Sequence, residues 1–310
     1  MRGAAGMVRP DEPEREELGW MSEFGVAVLL GALEGLTEFL PISSTGHLIL
    51  VGHWLGFTGE LAKTFDIFIQ LGAIFAIVVL YFRRLVGFLT VPDLRARRLN
   101  IVHLALGVLP AAVAGFFLHD FIKSRLFSPQ TVVYGLFAGA LLMAAAEWVA
   151  RRGEANAGMP RGTEANAGTR RRPGSAGPTA RTVDELTYAQ ALWIGLFQTL
   201  ALYPGFSRSG ATISGGILAG ASRAAAAEFS FLVAVPVMFG AVGLDLVKSW
   251  SIIRPEDWGV LFAGFGTAFV TAMLAVVTFL RLLKRYGLGP FVVYRLLLVA
   301  VLWGVLARRT

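Results

Sequence analysis

Of 310 residues, 55% are hydrophobic and only 16% charged, whereas a soluble chain of this length carries about a quarter of its residues as charges. The charges gather in a few clusters between apolar runs close to the ~20 residues needed to cross hydrocarbon, which excludes a soluble globular fold. The formal net charge of +7 is accounted for by basic loops beside a membrane and by anionic lipid, with no nucleic-acid partner, and the absence of cysteine excludes disulfides, thiolate metal sites and a thiol nucleophile.

Residues 1–20 are polar and of mixed charge, with acidic residues before the first apolar run, which does not fit a signal peptide; they read as a disordered extension. Apolar segments follow at roughly 24–40, 44–57, 66–82, 100–118 and 131–150, then at 188–203, 211–221, 229–247, 259–280 and 289–307. Between the two sets, residues 151–187 are rich in Gly, Ala and Arg, cannot bury a core, and read as a low-complexity loop without a function of its own. Basic residues cluster at Arg83, Arg84, Arg95, Arg97 and Arg98, in the central loop, and at Arg281, Lys284 and Arg285. All three loops are therefore expected on the cytoplasmic side. The crossings then count out so that 24–57 enters and returns from the outer face and 188–222 from the cytoplasm.

The two sets resemble each other. Gly31 and Glu34 parallel Gly195 and Gln198, and the stretch LPISSTG at 40–46 parallels YPGFSRSG at 203–210 with one extra residue. The fold expected is an all-α polytopic membrane protein with an inverted repeat, each half holding a re-entrant helix pair plus three transmembrane helices. The first repeat spans 21–150, the cytoplasmic loop 151–187, and the second repeat 188–310. The two polar motifs are then expected to face each other.

The first motif is EGLTEFLPISSTGH at 34–47. Glu34 and Glu38 are four apart and project from one helix face, and carboxylates inside a membrane segment need a cavity, a partner or a cation. A glutamate pair at the water interface is the plainer alternative. Pro41 breaks the helix, so Ser43, Ser44 and Thr45 fall at the start of the next one, where hydroxyls cap and amides point outward to make an anion site. The second motif, PGFSRSGAT at 204–212, repeats this break and restart. Arg208 in an apolar setting requires an anion, either phosphate oxygens that suit its planar fork or Glu34 or Glu38 in a structural ion pair. Together these groups fit phosphoryl chemistry: Arg208 and helix amides holding phosphate, a divalent cation on Glu34 and Glu38, and His47 moving protons. His53, His103 and His119 lack comparable neighbours and read as structural. Asp66 and Gln70 open the next segment and are placed along the pocket; Glu228 and Asp245 have no assigned role.

At these residues the chain resembles the undecaprenyl-pyrophosphate phosphatase family of the bacitracin-resistance type. The resemblance runs from about residue 24 to 307, through EGLTEFLPISSTGH at 34–47, FDIFIQLG at 65–72, QTLALYPGFSRSGATISGG at 198–216 and EFSFLVAVP at 228–236. It departs from the family in the N-terminal extension and the long central loop. The resemblance implies hydrolysis of a polyisoprenyl diphosphate lipid, undecaprenyl diphosphate, to the monophosphate with magnesium or calcium, in a multi-pass protein of the bacterial inner membrane, recycling the carrier for peptidoglycan and conferring bacitracin resistance. It also implies that Glu34 and Glu38 are the paired glutamates, Ser44 the nucleophile or a phosphate contact, His47 the proton-transfer residue and Arg208 the phosphate-binding arginine. Ser43, Thr45, Ser207, Ser209 and Thr212 would line the same pocket. Ser44 as nucleophile, with His47 as its base, is the form preferred here.

Two other classes compete. Acid-phosphatase-like lipid phosphatases place a nucleophilic histidine after their Ser-Arg element, and no histidine follows Arg208. A lipid transporter or flippase also suits an inverted repeat, since fold does not decide function. The sequence leaves the oligomeric state, monomer or homodimer, open.

Overall fold

The computed structural model describes residues 22–57, 59–90, 99–126, 128–156, 177–250 and 253–307, and they are all but entirely helix and turn. Eleven α-helices occur among them: α1 (Glu23–Thr37), α2 (Ser44–Trp54), α3 (Glu60–Leu80), α4 (Phe82–Thr90), α5 (Ile101–Arg125), α6 (Pro129–Asn156), α7 (Tyr188–Gln198), α8 (Arg208–Leu218), α9 (Arg223–Ser249), α10 (Trp258–Tyr286) and α11 (Gly289–Ala307). The predicted extension at 1–20 and most of the predicted central loop, 157–176, lie outside the described residues.

Five helices are long and apolar enough to cross a membrane, over Leu61–Leu80, Ile101–Leu118, Gln130–Ala155, Arg223–Val247 and Pro255–Tyr286, with a shorter apolar stretch at Gly289–Gly304. Large apolar side chains such as Trp54, Phe116, Phe117 and Val247 stand three-quarters or more exposed on the outside of the bundle. In water this would be untenable, and against acyl chains it costs nothing. The chain is a multi-pass membrane protein. The four helices carrying the polar motifs are different: α1 has 15 residues and α2, α7 and α8 have 11 each. At 1.5 Å per residue none spans the ~30 Å hydrocarbon core alone.

Two elements depart from the sequence reading. The residues from Arg83, expected as a basic loop after the apolar segment 66–82, belong to the helix α4 as far as Thr90, and α6 continues to Asn156 past the expected end near residue 150. In the second case the charges stack on one face: Glu147 accepts from Arg151 one turn on at 2.7 Å, and Glu154 pairs with Arg223. The helix is thus held by ion pairs after its apolar stretch ends.

The packing is reciprocal. Helix α1 packs on α10 and α7 on α5; α3 packs on α10 and α9 on α5; α3 meets α9, and α6 meets α11. Small residues set the close approaches. A Cβ on Gly31 or Gly35 of α1 would collide with the α10 backbone at Gly264 or Ala268, and one on Gly195 of α7 would collide with the α5 backbone at Leu106 and Gly107. At one end of the bundle Arg84 donates to both oxygens of Asp184, at 2.7 and 3.3 Å, and lies 3.5 Å from Glu228. At the same end Glu147 accepts from Arg223 at 2.9 Å and from the Leu288 amide at 3.0 Å. The start of α9, the α10–α11 turn and the segments around residues 84 and 184 are gathered there.

Candidate active site

The chain breaks where the prolines require it. Helix α1 ends at Thr37, residues 38–42 form turns, and α2 restarts at Ser44; α7 ends at Gln198, a short 3-10 turn covers Thr199–Leu202, and α8 restarts at Arg208. Ser43 and Ser207, the residues just before each restart, both have left-handed backbones, at φ 72° and 74°. They are the only non-glycine residues with positive φ among those described. A side chain there costs of order 1–3 kcal/mol and persists only where its surroundings impose it. Ser207 offsets part of that cost by accepting from the Gly210 amide at 3.2 Å.

The two turns meet. Ser44 Oγ donates to Glu38 Oε2 at 2.6 Å, and the other oxygen of Glu38 accepts from Arg208 Nη2 at 3.1 Å. The Glu38–Arg208 pair is about one-tenth exposed on each side. Its second anchor is the Ser230 carbonyl, which accepts from Arg208 Nη1 at 3.1 Å. Arg208 Nε is buried and has no partner among the described residues, so a donor remains for an incoming anion. The guanidinium also stands over the Phe39 ring, 5.6 Å from its centre.

Glu34 contrasts with Glu38. It is fully buried, and neither carboxylate oxygen has a hydrogen-bond partner among the described residues; Glu38, Asp66 and Arg208 lie near enough to act on it electrostatically. An isolated buried carboxylate is expensive. Two carboxylates one turn apart, one with all its lone pairs free, make an oxygen donor set that suits a hard divalent ion, which takes one or two carboxylates and completes its shell with water and phosphate oxygens. Among the described residues no cluster of three or more His, Asp or Glu is arranged to hold an ion unaided.

His47 points elsewhere. Its Nδ1 lies 2.7 Å from the Ser43 carbonyl and its Nε2 2.5 Å from the Tyr294 hydroxyl. A carbonyl only accepts, so Nδ1 carries the proton and, in the neutral ring, Nε2 accepts from Tyr294. The side chain in contact with Ser44 is Glu38, whereas His47, expected beside Ser44 from the sequence, contacts Ser43 and Tyr294. The remaining predicted residues build the frame. Ser209 donates to the Leu40 carbonyl at 2.9 Å and lies 3.1 Å from Ser207 Oγ; Thr212 donates to the Arg208 carbonyl at 2.8 Å and sits 2.6 Å from Ser230 Oγ. Ser43 is buried with its carbonyl on His47, while Thr45 is exposed. Three residues not singled out from sequence belong to this assembly: Ser230, Tyr294 and Arg295. An arginine inside the apolar stretch 289–307 was the available signal, by the same reasoning that marked Arg208.

Residues 27–301 match the family described as bacitracin resistance protein BacA. The chain belongs to this family. The matched part of the BacA family member described here contains both turns, Ser230, Tyr294 and Arg295. The chain is 54% identical over 287 residues to undecaprenyl-diphosphatase 1 of Bacillus thuringiensis (strain Al Hakam) and, over the same length, to that of Bacillus anthracis, covering 92% of this chain and 98% of each relative. With undecaprenyl-diphosphatase 1 of Bacillus cereus (strain ZK / E33L) it shares 54% over 280 residues, 90% of this chain and 96% of the relative.

Proposed function

We propose that this BacA family member hydrolyses undecaprenyl diphosphate to undecaprenyl phosphate and inorganic phosphate in the bacterial inner membrane, returning the lipid carrier to cell-wall synthesis. The observation that carries the reading is the continuous chain Ser44–Glu38–Arg208, which joins a hydroxyl, a carboxylate acceptor and a guanidinium with a free donor across two separate motifs. Arg208 and the α8 and α2 N-terminal amides bind the terminal phosphate. Ser44 Oγ attacks its phosphorus as the Ser44 proton passes to Glu38 Oε2; the bond to the bridging oxygen breaks and undecaprenyl phosphate departs. Water then cleaves the phosphoserine, returning the proton to Ser44, and His47, oriented by Ser43 and Tyr294, carries protons to and from the site. Glu34 and Glu38 would hold a magnesium or calcium ion, which when bound supplies charge neutralisation at the phosphate oxygens.

The same reading includes the topology. The paired breaks, the matching left-handed Ser43 and Ser207, and the exchange of partners between α1 on α10 and α7 on α5 support an inverted repeat with two re-entrant hairpins. The test is phosphate release by purified protein in detergent with magnesium and undecaprenyl diphosphate. Activity in the parent, and its loss by about two orders of magnitude or more in Glu38→Ala and Arg208→Ala with helix content unchanged, supports the reading. No phosphate from the parent overturns it.

A further inference from the structure

Arg295 on α11 is fully buried, and no carboxylate pairs with it among the described residues. Its guanidinium is instead surrounded by main-chain oxygens. Nε donates to Leu136 at 3.1 Å; Nη1 to Pro41 at 3.3 Å and Phe206 at 3.0 Å; Nη2 to Gly135 at 3.1 Å, Leu136 at 2.9 Å and Gly205 at 3.0 Å. Each nitrogen is engaged. The acceptors come from three places: the first turn, the second turn, and α6 beside them. Helices broken inside a membrane leave carbonyls that water cannot reach, and these must find donors within the protein. One planar fork of five N–H groups supplies several of them at once. The α6 surface is shaped to allow it, because a Cβ on Gly139 would run into the guanidinium and the Phe206 carbonyl, and one on Gly135 into the Pro204 carbonyl.

We propose that Arg295 is a positioning residue for the reaction, a clasp that fixes the Pro41 carbonyl of one turn against the Gly205 and Phe206 carbonyls of the other. Ser44 follows Pro41 by three residues and Arg208 follows Phe206 by two, so the clasp sets the separation at which they meet across Glu38. It also accounts for the left-handed backbones of Ser43 and Ser207, each one or two residues beyond a clasped carbonyl. The two arginines divide the work. Arg208 keeps a donor without a partner for the substrate, whereas Arg295 has none to offer and acts through the turns.

The kinetic part of this inference rests on the phosphatase reading, and the experiment separates the two. Arg295→Lys retains the charge but replaces the fork by three donors on a flexible stem. In purified full-length protein that unfolds cooperatively, kcat for phosphate release should fall about 10- to 100-fold while KM changes by less than about threefold, the pattern of misplaced reacting groups. In parallel, spin labels on Ile49→Cys and Leu200→Cys, both exposed and the only cysteines in the chain, report the distance between α2 and the segment entering the second turn. The parent should give a narrow distribution and Arg295→Lys a broad one. Unchanged kcat, an effect confined to KM, or an unbroadened distribution overturns the clasp. Should Arg295→Lys fail to fold, Gly139→Ala, which wedges a methyl between the guanidinium and the Phe206 carbonyl, is held to the same outcomes. A parent that releases no phosphate overturns the phosphatase reading alone, and the label distances still decide the clasp.

Discussion

Glu34 and Glu38 share a helix face yet stand in opposite situations. Glu38 is satisfied by Ser44 and Arg208, while Glu34 is sealed from water with both oxygens unpartnered. A charged carboxylate in that state destabilises the protein until a proton or a cation neutralises it. Magnesium at about a hundred times its dissociation constant adds about 2.7 kcal/mol to the folded state, which for a chain of 310 residues is about 4 °C in Tm. We expect that rise in the parent and less than half of it in Glu34→Gln, whose neutral amide needs no ion. Thermal unfolding in detergent, with and without magnesium, measures it, and an equal rise in both proteins removes Glu34 from the ion site. Much of this arrangement was legible in the sequence, because Glu34, Glu38, Ser44 and Arg208 are polar groups at helix breaks. Arg295 was marked only as an arginine inside an apolar stretch; its partners were not, since they are carbonyls contributed by residues as distant as Pro41 and Gly205, and backbone acceptors leave no mark in a residue pattern. The partner of Ser44 was equally hidden. A turn that places Glu38 beside it and His47 beside Tyr294 depends on the left-handed Ser43, which no spacing rule reveals.

The ten apolar segments read from hydropathy correspond to ten of the eleven helices, because each must satisfy its own backbone in lipid. The exception, α4, is short and has Arg83 and Arg84 in its first turn; its basic residues read as a loop boundary. What hydropathy cannot show is how helices approach one another. Gly31 and Gly35, one turn apart, let α1 lie directly on α10 along Gly264, Ala268 and Ala272. A methyl on Gly35 would meet the Ala268 carbonyl and the Ala272 amide, main-chain atoms that cannot yield. Gly35→Ala should therefore cost about 1–3 kcal/mol and displace the helix that carries Glu34 and Glu38, lowering both Tm and phosphate release. Gly266→Ala on α10 faces open space and should leave both unchanged. Equal melting of the two variants would show that α1 does not depend on this close approach.

The whole bundle has two unlike ends. One holds the Arg84–Asp184 and Glu147–Arg223 networks and the basic residues that close α10; the other holds the starts of α1, α3 and α10, joined by an apolar cluster that includes Val26, Phe65 and Trp258. In the proposed topology the first hairpin enters with α1 from the outer face, because positive charge in short loops is retained on the cytoplasmic side. Helix α10 tests this within one element, since Glu256 lies just before it, Lys284 in its last turn, and both are exposed. The chain contains no cysteine, so Glu256→Cys and Lys284→Cys each offer a single thiol. A membrane-impermeant maleimide should label Glu256→Cys in intact cells whose outer barrier is permeable to it, and Lys284→Cys only after the inner membrane is opened. The reverse pattern would invert the molecule and place the entrance of the Ser44 hairpin, and the release of phosphate through it, on the cytoplasmic side.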